Sequence, residues 1–222
     1  MEYTEPRMAA SALLTIDTQC DFALPGAVAE IPGTVDVIPK MKSLLSAYRE
    51  RDLPIVHIVR LYLPDGSNVD LCRRKSVEEG MCVIAPDTAG AEIVPDLKPR
   101  PDATLDAEVL LGSGIQTWGD NEFVLYKPRW GAFYKTPLHN HLNTLGVDTL
   151  VFCGCNFPNC PRATIYEASE RDYRIVLAED AVSGIYEEGK AELRRIGVRI
   201  WPTQQVLETL AEHSPAFDFR YR

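Results

Sequence analysis

Six short apolar runs alternate along the chain with segments whose apolar residues recur every three or four positions. The runs are Ala12–Asp17, Pro54–Val59, Phe123–Tyr126, Thr149–Cys153, Arg174–Ala178 and Val198–Trp201. Each is short and mostly aliphatic or β-branched, so each reads as a strand. Between the runs the period lengthens. Ile38, Met41, Leu44, Leu45 and Tyr48 fall on one face of a helix over about Val35–Arg51. Further helices are predicted over about Pro137–Leu145 with Gly146 as its stop, Pro161–Arg171, Glu187–Ile196 with Gly197 as its stop, and Thr203–His213.

Strands this apolar, alternating with helices, predict a parallel sheet buried on both faces. The expected fold is α/β: a three-layer αβα domain of Rossmann type. Its sheet is mostly parallel and six-stranded, in the order 3-2-1-4-5-6. One domain is expected over residues 1–222. Its stretch from about 61 to 121 is turn-rich, with Pro64-Asp-Gly66, Ala85–Gly90 and Gly112-Ser-Gly114. Ile93, Val94 and Leu97 argue against a linker there. The stretch reads as an irregular insertion beside an active site.

Composition narrows the class. With 222 residues, 45% hydrophobic and 25% charged, the chain can bury a sizeable core. A net charge of -9 and the lack of a basic run argue against nucleic acid or an anionic membrane as the main partner. No apolar stretch approaches the roughly 20 residues that span a bilayer. The opening Met-Glu-Tyr-Thr-Glu-Pro-Arg has no signal-peptide character, so a cytoplasmic protein is expected. Cys20, Cys72, Cys82, Cys153, Cys155 and Cys160 are then expected as free thiols. Their spacing to His57, His139, His141 and His213 matches no zinc site, and no metal or other cofactor is expected.

Three residues able to do chemistry fall at predicted strand ends, where open α/β sheets bind ligands. Asp17 closes the first strand and opens Asp17-Thr-Gln-Cys-Asp-Phe22; a carboxylate there is a candidate general acid and base. Lys127 follows the third strand, in Lys127-Pro-Arg-Trp-Gly-Ala-Phe133. Cys160 follows the fourth strand and the turn Cys155–Asn159, and it precedes Pro161. Proline favours the first helical position, so Cys160 is predicted at a helix N-terminus, where the dipole and a nearby lysine favour a thiolate. Taken singly, Asp17 could cap a turn, Lys127 could be solvated, and Cys160, like Cys153 and Cys155, could be a small core residue. Cys155 is close enough to be a secondary redox-active thiol. Phe22, Trp130 and Phe133 flank these segments and could stack on a planar substrate or simply pack the core. Arg60, Asn68 and Arg73 follow the second strand and could read a polar or acidic group.

These segments resemble the isochorismatase-like cysteine hydrolases, a superfamily that includes nicotinamidases, N-carbamoylsarcosine amidohydrolases and isochorismatases. The likeness runs from about Ala12 to Leu210. It is carried by Asp17–Phe22, Pro86–Leu97, Lys127–Phe133, Cys153–Cys160, Arg171-Asp-Tyr-Arg174 and Glu179-Asp-Ala181. The resemblance implies an Asp17–Lys127–Cys160 triad. It also implies a cis peptide at Cys155-Asn156, an oxyanion hole from the Asn156 and Cys160 N–H groups, and a homodimer or homotetramer. The expected activity is hydrolysis of a C–N bond (amide, ureide, lactam or carbamoyl) in a small molecule through a Cys160 thioester. The alternatives are an isochorismatase-type vinyl-ether hydrolase and a non-enzymatic interaction protein on the same fold.

The chain departs from the family's common Gly-Val-x-Thr before the cysteine: Cys155 replaces the Val and Phe157 the Thr. Phe157 thereby becomes a candidate pocket residue. Arg60-Leu-Tyr-Leu-Pro-Asp-Gly66 stands where nicotinamidases carry a metal-binding Asp-x-His, which disfavours a metal-dependent nicotinamidase.

Overall fold

The computed structural model describes residues 3–212. In chain order its strands are β1 (Ser11–Ile16), β2 (Ile55–Val59), β3 (Ile115–Gly119), β4 (Glu122–Tyr126), β5 (Thr149–Gly154), β6 (Arg174–Val182) and β7 (Arg199–Trp201). Its helices are α1 (Cys20–Ala23), α2 (Thr34–Glu50), α3 (Leu71–Glu78), α4 (Ala107–Leu111), α5 (Leu138–Thr144), α6 (Cys160–Ser169), α7 (Glu187–Arg195) and α8 (Thr203–Glu212). The predicted end of the last helix at His213 lies outside the described residues. No described helix is long and apolar enough to cross a membrane.

One seven-stranded sheet runs β3-β4-β2-β1-β5-β6-β7. The six predicted strands are present in the predicted order and pair in parallel. The seventh, β3, lies inside the stretch read as irregular and pairs antiparallel with β4 at the sheet edge. It escaped detection because Ile115, Gln116 and Thr117 are at most half-buried and only Trp118 is fully buried, so no apolar run marks it. A two-residue turn at Asp120-Asn121 links it to β4.

Side-chain alternation along the strands splits the core in two. Leu13, Val151 and Val176 face α2 and α8; Leu14, Leu150 and Ile175 face α5, α6 and α7. The helix face predicted from Ile38 to Tyr48 is the buried face of α2. Sheet and helix faces together therefore bury nearly all the strand residues.

One polar chain crosses the α2 side of this core. Thr15 Oγ1 lies 2.8 Å from His57 Nδ1, and His57 Nε2 lies 2.7 Å from Glu122 Oε1. Arg49 of α2 clasps both Glu122 oxygens, at 2.7 and 2.9 Å. Burial works against a charged Glu122, but bonds to Arg49 and His57 override it and hold its carboxyl at about 2. With Glu122 ionised, His57 Nε2 donates and Nδ1 accepts from Thr15. Burial lowers His57 from its ordinary value, so it stays neutral when folded.

The linkage sign follows for both groups. The depressed Glu122 contributes stability above its unfolded value and loses it as pH falls from about 4.5 towards about 2. Neutral His57 loses its contribution as pH falls below about 6.5, where the unfolded chain takes up the proton. Glu122→Gln strands the Arg49 charge and is expected to cost about 3 kcal/mol. Urea unfolding at neutral pH, repeated towards pH 4, checks this: the variant should be weaker at neutral pH and flatter with acid.

Candidate functional site

The carboxyl ends of β1, β4 and β5 place the three chemistry-bearing residues together. Asp17, the residue after β1, has φ 52°, a left-handed conformation uncommon outside glycine but one that aspartate tolerates. Two bonds hold it there. Its N–H donates to Ile58 O at 2.9 Å, and its carbonyl accepts from Cys155 Sγ at 2.9 Å. Lys127 follows β4, and its N–H donates to Val59 O at 3.0 Å. Its side chain is wholly buried, with Nζ 2.9 Å from Asp17 Oδ2. Asp17 Oδ1 is also buried and has no hydrogen-bond partner among the described residues.

Cys160 is the first residue of α6, preceded by Asn159, whose side chain bonds Asn156 instead of capping the helix, and followed by Pro161 at the start of the helix, as the sequence indicated. The strand end that leads to it turns at Gly154, with φ 122°. A Cβ there would lie 2.2 Å from Ile16 O. Gly154→Ala is therefore expected to destabilise the fold by more than about 2 kcal/mol, read as a fall in thermal midpoint or in soluble yield. The expected cis bond is not present: Cys155–Asn156 is trans, as are all described peptide bonds. The left-handed Gly154 redirects the chain instead. Phe157 N–H then donates to Ser183 O at 2.8 Å and Asn159 N–H to Asn156 O at 3.1 Å. The N–H groups of Asn156 and Cys160 have no acceptor among the described residues.

The thiol corrects a second expectation. Helix end and lysine do not prevail over burial in the resting site. Burial, and then the Asp17 carboxylate, push the Cys160 thiol up to about 11, with Lys127 only partly offsetting them. Cys155 is an interior thiol, pushed well above its ordinary value by burial. Its hydrogen bond holds the Asp17 carbonyl, which argues against a redox role.

A small cleft opens over these groups. Asp17, Cys160, Asn156, Phe22, Arg60 and Arg73 line it, as does Trp130, which is 41% exposed. Lys127 lies beneath the lining and acts on the cleft through Asp17. Three candidate pocket residues are elsewhere. Phe133 packs against Tyr173, with the Arg171 guanidinium over its ring. Phe157 is wholly buried against Tyr186. Asn68 braces its own loop by bonds to Leu63 N, Leu61 O and Tyr126 OH. The apolar environment takes the two phenylalanines, and a polar turn takes the asparagine.

Several site residues were missed. Tyr62, Asp70 and Asn159 line the cleft. Asp70 pairs with the Arg60 guanidinium and accepts from Tyr62 OH at 2.8 Å. Gln19 is wholly buried: its amide donates to Arg60 O and Ala91 O at 2.7 Å and accepts from Arg60 N–H at 2.7 Å. It ties the Asp17–Phe22 turn to the loop after β2 and to the Pro86–Leu97 segment. The signal for Gln19 was its place within the Asp17–Phe22 segment, two residues after a strand-end acid. Among the described residues, no three His, Cys, Asp or Glu side chains gather to hold a metal ion.

Known proteins resemble this chain in sequence and fold. A solved isochorismatase family protein from Desulfovibrio vulgaris superposes with a TM-score of 0.77 at 33% identity, covering 91% of this chain and 98% of that one. A probable inactive nicotinamidase of Arabidopsis thaliana is 29% identical over 90% of this chain and 96% of its own length. Maleamate amidohydrolase of Pseudomonas putida is 29% identical over 77% of this chain and 71% of its own. The isochorismatase domain model matches residues 11–109 and 112–200. The chain thus belongs to the isochorismatase family of hydrolases.

Proposed function

We propose that this protein is a cysteine hydrolase that cleaves the C–N bond of a small amide, ureide, lactam or carbamoyl compound. One observation carries the reading: the buried Asp17–Lys127 pair stands beside Cys160 at the first turn of α6, inside a small cleft. The likeness to an enzyme named for maleamate supports an amide substrate.

In this reading the resting thiol is protonated. As it approaches the substrate carbonyl, Asp17 takes its proton and the sulfur forms a C–S bond. Lys127 holds the charge on Asp17 before that transfer and after its reversal. The oxyanion settles on the unengaged N–H groups of Asn156 and Cys160. Asp17 then gives the proton to the departing nitrogen, and the C–N bond breaks. Water, deprotonated by Asp17, attacks the thioester and releases the acid and the thiol. The test is a panel of small amides, ureides, lactams and carbamoyl compounds, assayed for ammonia or amine release, with acid-quenched mass spectrometry of the Cys160 peptide. Turnover with an acyl adduct on Cys160 is expected. No turnover and no adduct across the panel would sink the reading, and turnover of isochorismate alone would favour vinyl-ether hydrolysis.

A second reading, a binding protein without turnover, draws on the Arabidopsis relative's designation as inactive and on the high resting thiol value. Iodoacetamide labelling, mapped by mass spectrometry, separates Cys160 from the exposed Cys72 and Cys82. With the thiol at about 11, Cys160 labelling should rise about tenfold per pH unit from 7 to 9. Acceleration of that labelling by a bound amide would speak for catalysis.

A further inference from the structure

We infer that Cys155 is a positioning residue for the proposed reaction: by donating to the Asp17 carbonyl, its thiol holds the Asp17 carboxylate beside Cys160. This rests on the cysteine-hydrolase reading for the role of Asp17 as proton carrier. The starting point is a backbone acceptor that the sheet leaves open. Asp17 N–H donates to Ile58 O at 2.9 Å. In a parallel ladder the next donor on that side, Arg60 N–H, would then serve the Asp17 carbonyl. Here Arg60 N–H goes to Gln19 Oε1 at 2.7 Å instead. The carbonyl belongs to a residue only 3% exposed, and it is left to the Cys155 thiol at 2.9 Å. No other donor among the described residues reaches it. An interior carbonyl without a partner is unfavourable, so the thiol proton is committed there.

Cys155 holds both sides of Asp17. Its N–H donates to Ile16 O at 2.9 Å, and its sulfur holds the carbonyl one residue on. The two bonds fix the peptides on either side of the Asp17 Cα, and with them the direction of its side chain. The sulfur is itself backed. The Thr34 hydroxyl at the start of α2 lies against it and donates to Ser183 Oγ at 2.9 Å. Ser183 N–H in turn donates to Gly154 O at 3.1 Å. Cys155 also opens the turn that leads to Cys160. One side chain therefore ties the strand of the base to the turn of the nucleophile. Lys127 pulls on the same carboxylate from beneath, through Asp17 Oδ2 at 2.9 Å. With the Asp17–Thr18 peptide free to rotate, that ion pair would draw the carboxylate towards Lys127 and away from the Cys160 thiol.

The experiment compares the full-length wild-type protein with Cys155→Ala, which removes the donor, and Cys155→Ser, which keeps one. Iodoacetamide labelling of Cys160 is followed by mass spectrometry in rapid-quench pH jumps, and the midpoint of its pH profile is read. A more open cleft alone would speed labelling at every pH; the midpoint follows the thiolate. Around Cys160, Asp17 raises the thiol, whereas Lys127 and Arg60 lower it, and the wild-type midpoint is expected at about 11. In Cys155→Ala it should fall by about half a pH unit or more, whereas Cys155→Ser should stay closer to wild type than to Cys155→Ala. On a substrate that the wild type turns over, Cys155→Ala should lose about tenfold or more in kcat with KM changed less than about threefold. If Cys155→Ala does not fold, Cys155→Val, which fills the space without a donor, takes its place. An unmoved midpoint or an unchanged kcat in the donor-free variant overturns the inference, as does a Cys155→Ser protein that shifts as far as Cys155→Ala. The cysteine-hydrolase reading fails separately: the midpoint shift, with no turnover by the wild type, would leave the hold on Asp17 standing and remove the catalysis.

Discussion

Cys160→Ala is expected to lower kcat on any amide the protein turns over by at least about 10⁴-fold, with the thermal midpoint moved by no more than about 3 °C. The size of the loss follows from the lack of a substitute. Cys155 lines the same cleft, but its thiol is buried and engaged with the Asp17 carbonyl. Cys153 lies inside β5, and burial raises its thiol strongly. Cys20, Cys72 and Cys82 are not in the lining. Water could attack directly from the Asp17 side, but without a covalent stage the two steps become one difficult step. The small effect on stability follows from position: Cys160 is half-buried at a helix start, and no backbone bond depends on its sulfur. Retention of a tenth or more of wild-type turnover would rule out Cys160 as the nucleophile.

Lys127→Met should have the largest effect on folding. Lys127 is 0% exposed, and its Nζ faces Asp17, itself 3% exposed. Removing one member of a buried pair leaves the other charge uncompensated, at a cost of about 3 to 5 kcal/mol. Methionine nearly conserves the volume, so the loss measures charge rather than packing. Asp17→Asn should also destabilise, by stranding the lysine. The double variant, Asp17→Asn with Lys127→Met, leaves no orphan charge and should recover part of the stability. Urea unfolding of all four proteins gives that coupling directly. All three variants should be inactive, because stability and catalysis draw on the pair differently. Simple additivity of the two losses would show that Asp17 and Lys127 do not act as a pair.

Most of the architecture was legible because strands buried on both faces are apolar end to end. Thr149–Cys153 and the helical face of Ile38 to Tyr48 announce themselves. β3 did not, since an edge strand with one buried residue has no such signature. At the site, the three strand-end residues were identified together with their elements, and the structure brings them together. Aromatic neighbours in sequence were a divided guide: Phe22 and Trp130 line the cleft, whereas Phe133 and Phe157 turned into the core, where an aromatic ring gains most by burial. The resting state of the Cys160 thiol was not legible either. It depends on how deeply the turn Cys155–Asn159 sinks, a tertiary quantity that helix position and a nearby lysine do not supply. Gln19, a plain polar residue in the sequence, emerges as the clamp between three segments only once their carbonyls are placed.

The cleft draws on two kinds of element. Asp17, Lys127 and the turn before Cys160 hang from three neighbouring parallel strands at the centre of the sheet. Tyr62, Asp70 and Arg73 come from the stretch after β2, joined to that centre through Gln19 and Arg60 and through the Asn68 bond to Tyr126. In the proposed reading, this division makes selectivity separable from reactivity. Residues 61 to 83 form a cassette that could be exchanged between relatives to change which compound is accepted, provided that the Gln19 contact to Arg60 and Ala91 is kept.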